Sequence, residues 1–320
     1  MTRTLTTKSC VSEGTTQIAG RHRPDISVVI CTRNRAAFLR QALEHYERIF
    51  SHHRWELIIV NNSSTDGTRA VADDFASSTS IHCRVIDESQ PGLSRARNTG
   101  WRNADAEIIA FTDDDCYPLD NFISQVATVL AEPMVGYYGG MIRLFDPNDQ
   151  PITILEVEDR IAFPPSTLIE PGQIQGANMG ARRSVLEAVG GFDEELGAGT
   201  AFPSEDIDFV VRASFSGFLG VYDPRPVVLH HHRRQTTEQA SLLAAQYSRG
   251  RGAFYMSCLL DNRRRTALLK KWYWSLTNCM RGRSRCGLAF PTIAGEICGA
   301  LGYLGRRITQ SADDSPRDFS

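Results

Sequence analysis

Several class-defining signatures are missing from this chain of 320 residues. It has no run of ~18 uncharged apolar residues, which argues against a simple membrane-spanning helix. The first residues are rich in Thr and Ser and hold no apolar core, so no secretory signal is expected. The eight cysteines form no CxxC pair and show no metal-ligand spacing. They read as small buried hydrophobes of a reducing compartment, and a cytoplasmic location is expected. No GxGxxG follows the first apolar run, and no GxxxxGK[ST] occurs anywhere, which disfavours a dinucleotide-binding Rossmann site and a P-loop. Net charge is scarce too, at −2, but it is unevenly spread. Between Arg233 and Arg307, 14 Lys/Arg face only three acids (Glu238, Asp261, Glu296), and the remainder is correspondingly acidic. Such asymmetry points to a binding surface.

With 42% hydrophobic and 22% charged residues, the chain has ordinary globular composition and ample material for a core. The stretch that organises it is Ile108-Ile109-Ala110-Phe111-Thr112-Asp113-Asp114-Asp115. It begins as the short apolar run of a buried strand and ends in three consecutive carboxylates. Like charges this close repel, and a hard divalent cation bound by carboxylate oxygens, with positions open to phosphates, would remove the cost. A solvated acidic loop is the bland alternative. Closing a buried strand, where open α/β sheets place their ligands, the triplet favours metal and phosphate.

Residues 1–24 are polar and aperiodic and are expected to be disordered. Apolar runs at 26–31, 55–60 and 83–86 read as strands, alternating with amphipathic helices that carry Phe38, Leu39 and Leu43, then Val71 and Phe75, then Arg95, Arg97 and Asn98. With the acidic strand, this alternation predicts right-handed βαβ units and an α/β fold with a mostly parallel open sheet flanked by helices. Each strand stops at polar residues, so one edge of the sheet gathers a nucleotide-sized crevice. Further on, a helix is expected around 122–130, a Gly-rich strand at 135–141, helices at 183–189 and after 205–208, and two short strands at 221–222 and 227–229. The second of these ends in His230-His231-His232.

Six pieces, in order, resemble family 2 inverting glycosyltransferases of the GT-A (nucleotide-diphospho-sugar transferase) fold. They are Val28-Val29-Ile30-Cys31-Thr32-Arg33-Asn34-Arg35, Asn62-Ser63-Ser64-Thr65-Asp66-Gly67-Thr68, Gly92-Leu93-Ser94-Arg95-Ala96-Arg97-Asn98, Phe111-Thr112-Asp113-Asp114-Asp115, Gly191-Phe192-Asp193-Glu194 and Glu205-Asp206. By that resemblance Thr32, Arg33 and Asn34 border the nucleotide, and the Asn61/Asn62 turn reads the base. Many members carry Asp at one of those positions and Gly at Ser63. Asn still bonds a pyrimidine edge, since its amide both donates and accepts. Asp66, Asp113 and Asp114 join the donor-binding set. Arg97 faces the diphosphate, or else is a helix-surface cation.

The resemblance also implies a DxD pair, Asp113 and Asp115, holding Mn²⁺ or Mg²⁺, with His230 approaching the ion. A metal there would stabilise the departing nucleoside diphosphate. Asp206, with Glu205 beside it, matches the carboxylate that takes the acceptor hydroxyl's proton. The alternative is that these acids merely serve the first turn of a helix.

Beyond 233 the resemblance fades. A helical stretch at 242–260 is expected to be interrupted at Arg249-Gly250-Arg251-Gly252. Arg263-Arg264-Arg265 and Lys270-Lys271-Trp272-Tyr273-Trp274 mix bases with aromatics, and 287–305 is apolar but holds Pro291 and Glu296. Two readings stand for this basic helical extension: a cap over the acceptor cleft, or attachment to an anionic membrane surface. No nucleic-acid module accompanies the bases. The expected organisation is a tail at 1–24, a GT-A domain at 25–232 (nucleotide half 25–117, acceptor half 118–232), the extension at 233–307, and a disordered tail at 308–320. The expected activity is metal-dependent transfer of a sugar from a nucleotide-diphospho-sugar to a glycan, polysaccharide or lipid-linked acceptor. The alternatives are a catalytically silent binding protein on the same scaffold, or nucleotidyl transfer.

Overall fold

A computed structural model describes residues 23–280 and 290–313. Its centre is a set of parallel strands, β1 (Ile26–Thr32), β2 (Trp55–Asn62), β3 (His82–Glu88) and β4 (Ile108–Asp113), in the order β3-β2-β1-β4. Of these, β1, β2 and β4 are largely buried on both faces, as their mainly apolar runs require, while β3 at the edge is half-buried. Their crossovers are α1 (Ala36–Tyr46), α2 (Thr68–Ser78) and α3 (Leu93–Asn103). Alternation along each strand sorts the core into two layers. Val28, Ile30, Leu57 and Ile59 pack with Leu39, Leu43 and Val71 of α1 and α2, whereas Val29, Ile58 and Phe111 pack with Ala96 and Trp101 of α3.

After β5 (Cys116–Pro118) and α4 (Phe122–Leu130), the sheet continues through β6 (Val135–Leu144), β7 (Ile161–Phe163), β8 (Asn178–Arg182) and β9 (Leu219–His230), with α5 (Arg183–Val189) and α6 (Glu205–Phe215) between the last two. The full order is β3-β2-β1-β4-β8-β6-β9-β5, with β7 also on β9. Six of the nine strands share one direction; β5, β7 and β8 run against them. The mostly parallel sheet expected from the sequence is therefore present, with an antiparallel element at the join of the two halves. The two short strands expected at 221–222 and 227–229 are one strand. Its register jumps from Gly140↔Asp223 to Met141↔Val227, so Pro224 and Pro226 sit in a bulge where no ladder donor is needed.

Three helices complete the chain: α7 (Thr237–Leu260), α8 (Asn262–Met280) and α9 (Phe290–Asp313). A capping box between Thr236 and Gln239 starts α7. The expected break at 249–252 does not occur. Gly250 and Gly252 are there for close approach: an added Cβ would lie 1.8 Å from the Pro203 carbonyl oxygen and 1.9 Å from that of Glu296 in α9. The tail expected from 308 is also corrected, because α9 is helical through Asp313 and is docked by Tyr303, whose hydroxyl donates to Asp193 at 2.9 Å. Most of the expected N-terminal tail, the bases at Arg281, Arg283 and Arg285, and residues 314–320 lie outside the described residues. No described helix is long and apolar enough to cross a membrane.

Candidate active site

The carboxyl ends of β2, β1 and β4 lie side by side, with Thr32 opposite Asn61 and Cys31 opposite Asp113. This is the rim at which the strand order reverses from β1 to β4, where open sheets bind ligands. The acidic triplet follows immediately. Its charges are partly compensated by the chain's own cations, Arg35 and Arg97, which corrects the expectation of an uncompensated cluster. Asp113 accepts from Arg97 Nη2 at 3.2 Å. Asp114 accepts from the Thr32 hydroxyl at 2.7 Å and lies 2.8 Å from Arg35 Nε. Asp115 takes Arg35 Nη2 at 2.6 Å and has His230 Nε2 at 3.5 Å.

Asp114 and Asp115 are both buried, yet they titrate in opposite directions. Burial pushes Asp114 up to about 7 despite Arg35. Asp115, against the same burial, is held well below the usual carboxylate range by His230 and Arg35. His230 reaches Asp115 because β5 folds back on β9 and sets Cys116 opposite His230. The Thr153 hydroxyl, 3.1 Å from Nδ1, fixes the ring. His231 and His232 turn elsewhere, to the Tyr117 hydroxyl and the Gln150 carbonyl, so the three histidines do not share one ion.

Arg97 is not a helix-surface cation: it is 2% exposed. Its guanidinium bridges Asp113 and Glu205, with Nη1 2.6 Å from Glu205 Oε1. Glu205, buried at the start of α6, is pushed up to about 7 by that burial, with Arg97 opposing. Asp206 is held differently. Its Oδ2 accepts from the Gly176 N–H at 2.8 Å and its Oδ1 from the Ile207 N–H at 2.7 Å. Among the three acids of the first turn of α6, Glu205 pairs with Arg97 and Asp208 with Arg212 and Arg264, whereas Asp206 is in no ion pair with an arginine. Tyr247 of α7 stands close by: burial and then the Asp206 charge drive its phenol pKa up.

The remaining residues expected at the donor site divide in two. Asn34, in the left-handed region at φ 54°, accepts from Thr65 N–H at 2.7 Å and so pins the β2–α2 turn to β1; Arg33 beside it is exposed. Asn62 is fully committed to the 88–92 loop, donating to Gln90 O at 2.7 Å and accepting from Gly92 N–H at 2.8 Å. Asp66 is exposed and caps α2 through Thr68. Asn61 donates to Asp87 at 2.8 Å, which fixes its amide and leaves its buried Oδ1 without a partner. The sequence reading did not single out Arg35, Gly176, Phe38, Arg233 or Tyr247. Arg35 lies inside a motif it quoted, but its partners are about 80 residues away.

Among the described residues, Asp115, Cys116 and His230 are close enough together to hold a metal ion. A carboxylate oxygen and an imidazole nitrogen are donors that Mn²⁺ accepts. The Cys116 thiol, raised far above its ordinary range by burial, stays protonated and is no ligand for a hard ion. Asp113 stands apart from this group with Arg97, a third of its side chain exposed to the cleft.

A parallel half-sheet with an acid-ended fourth strand, joined to a mixed half that carries a carboxylate on the facing helix, is the GT-A glycosyltransferase architecture. The chain belongs to Glycosyl transferase family 2, whose pattern matches residues 27–190, just over half of it. It is 26% identical over 203 residues to the glycosyltransferase AglE of Haloferax volcanii, covering 61% of this chain and 63% of that protein. It is 27% identical over 224 residues to the pre-mycofactocin glycosyltransferase of Mycobacterium tuberculosis, covering 66% and 44%. The chain thus spans less than two thirds of either relative. Its fold is similar to the mannosyltransferase PcManGT from Pyrobaculum calidifontis in complex with GDP-Man and Mn²⁺ (TM-score 0.58, 19% identity, 91% of this chain and 81% of that one). It also resembles S. aureus TarS 1–349 in complex with UDP-GlcNAc (TM-score 0.57, 16% identity, 89% and 81%).

Proposed function

We propose that this glycosyltransferase moves a sugar, with inversion, from a nucleotide-diphospho-sugar to a hydroxyl of a glycan, polysaccharide or lipid-linked acceptor, and depends on Mn²⁺ or Mg²⁺. The observation that carries this reading is the state of Asp206. Among the described residues it alone of the acids opening α6 makes no ion pair with an arginine, and it is half-buried and oriented by two backbone N–H groups. A carboxylate so held can take the acceptor hydroxyl's proton while the oxygen attacks the anomeric carbon. Arg97 and Gly176 tie that base to the Asp113 edge, so donor and base are registered by one scaffold.

Asp115 and His230 would hold the ion, which supplies charge stabilisation for the departing diphosphate. The neighbouring folds were solved with GDP-Man and Mn²⁺ or with UDP-GlcNAc, which supports a nucleotide-sugar donor. The unpartnered Asn61 Oδ1 lies two strands from Asp113, about 10 Å, roughly one ribose away from a diphosphate at that edge. A lone acceptor there suits a base N–H, such as the imino N–H of uracil or guanine or the exocyclic amine of cytosine.

The membrane-surface reading of the extension rests on α8. Leu269, Trp272, Tyr273 and Leu276 are exposed and share one helical face, flanked by Arg265 and Lys270. A lipid-linked acceptor would suit such attachment.

A panel of UDP-, GDP-, TDP- and CMP-sugars, with and without Mn²⁺, tests the activity by following donor hydrolysis and transfer. We expect Mn²⁺-dependent turnover of one donor class, lost by at least about a hundredfold in Asp206→Asn while donor-induced thermal stabilisation persists. Full turnover in that variant would remove Asp206 from the role. Donor binding without any turnover would mark a silent binding protein.

A further inference from the structure

Arg35 is placed where a divalent ion would compete with it. Its guanidinium spans both buried carboxylates, Nε to Asp114 at 2.8 Å and Nη2 to Asp115 Oδ2 at 2.6 Å, and only a third of the side chain is exposed. It lies flat on Phe38, 4.1 Å from the ring centroid, and Arg233 lies on the same ring at the same distance. One ring therefore carries two cations, the second contributed by the loop that follows β9.

We infer that Arg35 is a built-in counter-cation that keeps Asp115 closed to a divalent ion until a diphosphate draws the guanidinium away, so that metal and donor bind as a unit. The inference rests on the metal-dependent reading above. Two carboxylates that already share one guanidinium attract a free divalent ion less strongly than they would without it. Adding the ion alone would set three positive charges against at most two negative ones. A diphosphate changes that balance, since its oxygens accept both the ion and a planar guanidinium. Phe38 offers Arg35 an apolar face along which to move without losing its cation–π contact. Arg35 is thus a positioning residue, acting through Asp115.

The test is Mn²⁺ binding to the full chain, followed by electron paramagnetic resonance, with MnCl₂ alone and with MnCl₂ plus UDP or GDP. Wild type should bind Mn²⁺ weakly by itself and at least about tenfold more tightly with the nucleotide it recognises. Arg35→Gln should bind Mn²⁺ alone at least about tenfold more tightly than wild type, with the nucleotide adding little. Arg35→Lys, which keeps the charge, should stay near wild type. The metal-free Arg35→Gln protein should melt at lower temperature and recover with Mn²⁺. If the stranded carboxylates prevent Arg35→Gln from folding, the double variant with Asp114→Asn gives the same comparison. Mn²⁺ binding to the neutral variants no tighter than to wild type would overturn the inference and leave Arg35 a structural tie. No detectable Mn²⁺ binding to any of the proteins, with either nucleotide present, would overturn the metal-dependent reading and this inference with it.

Discussion

Gly176 sits between Arg97 and Asp206, its carbonyl accepting from the arginine at 3.2 Å and its N–H donating to the aspartate at 2.8 Å. One residue thus joins the donor edge of the sheet to the helix that carries the proposed base. A Cβ at this position would lie 2.5 Å from Arg97 Nη2, and the guanidinium cannot retreat without leaving Asp113 or Glu205. We expect Gly176→Ala to cost about 1–3 kcal/mol in urea denaturation. Turnover should fall at least about tenfold, through displacement of Asp206.

Glu205 gives the protein a pH signature. Its folded pKa, about 7, stands above the ordinary 4.5, so the native state holds its proton more firmly than the unfolded chain. The stability this contributes is complete below about pH 4.5 and is lost as pH rises through about 7, up to about 3 kcal/mol. Urea denaturation between pH 4.5 and 8 should show that decline in wild type and a flatter profile in Glu205→Gln. Equal slopes for the two proteins would remove Glu205 as the source.

The helical extension is fastened at glycines. Gly252→Ala places a methyl group 1.9 Å from the Glu296 carbonyl oxygen, where backbone rather than a flexible side chain stands in the way. We expect a loss of about 1–3 kcal/mol and early protease cleavage within α9, while the parallel half-sheet keeps its protection. Hydrogen exchange resolved by peptide checks both.

Surface attachment has a direct assay in vesicle co-sedimentation. The full chain should bind phosphatidylglycerol vesicles more tightly than phosphatidylcholine ones, and less so at high salt. Tyr273→Ser combined with Leu276→Ser should weaken that binding at least about fivefold without changing donor hydrolysis. Equal binding to both vesicle types would turn attention to the cap role for α8.

The parallel half of the fold was legible because each strand carries a short apolar run and ends in a distinctive polar motif, as at Val29-Ile30-Cys31-Thr32 and Phe111-Thr112-Asp113. The mixed half was less so. β5 has three residues, and β9 carries two prolines in its bulge, so local pattern reads a break where pairing with β6 continues. The glycines of α7 suggested an interruption for the same reason: their cause lies in Pro203 and Glu296, distant in sequence. At the site, residue types were readable but partners were not. That the three acids are partly compensated within the chain was not legible, because Arg35 lies 80 residues from Asp115 and Arg97 lies 16 from Asp113.

The contact between Gly250 and the Pro203 carbonyl sets a rule for anyone seeking to transplant acceptor preference between such enzymes. The segment leading into Glu205 and Asp206 is seated on α7, and α7 is interlocked with α9. A graft that exchanges the 195–204 loop while leaving the host's last helices in place would set unmatched surfaces against each other at Pro203, within a turn of the proposed base. The portable unit is therefore the loop, α6 and all three closing helices together.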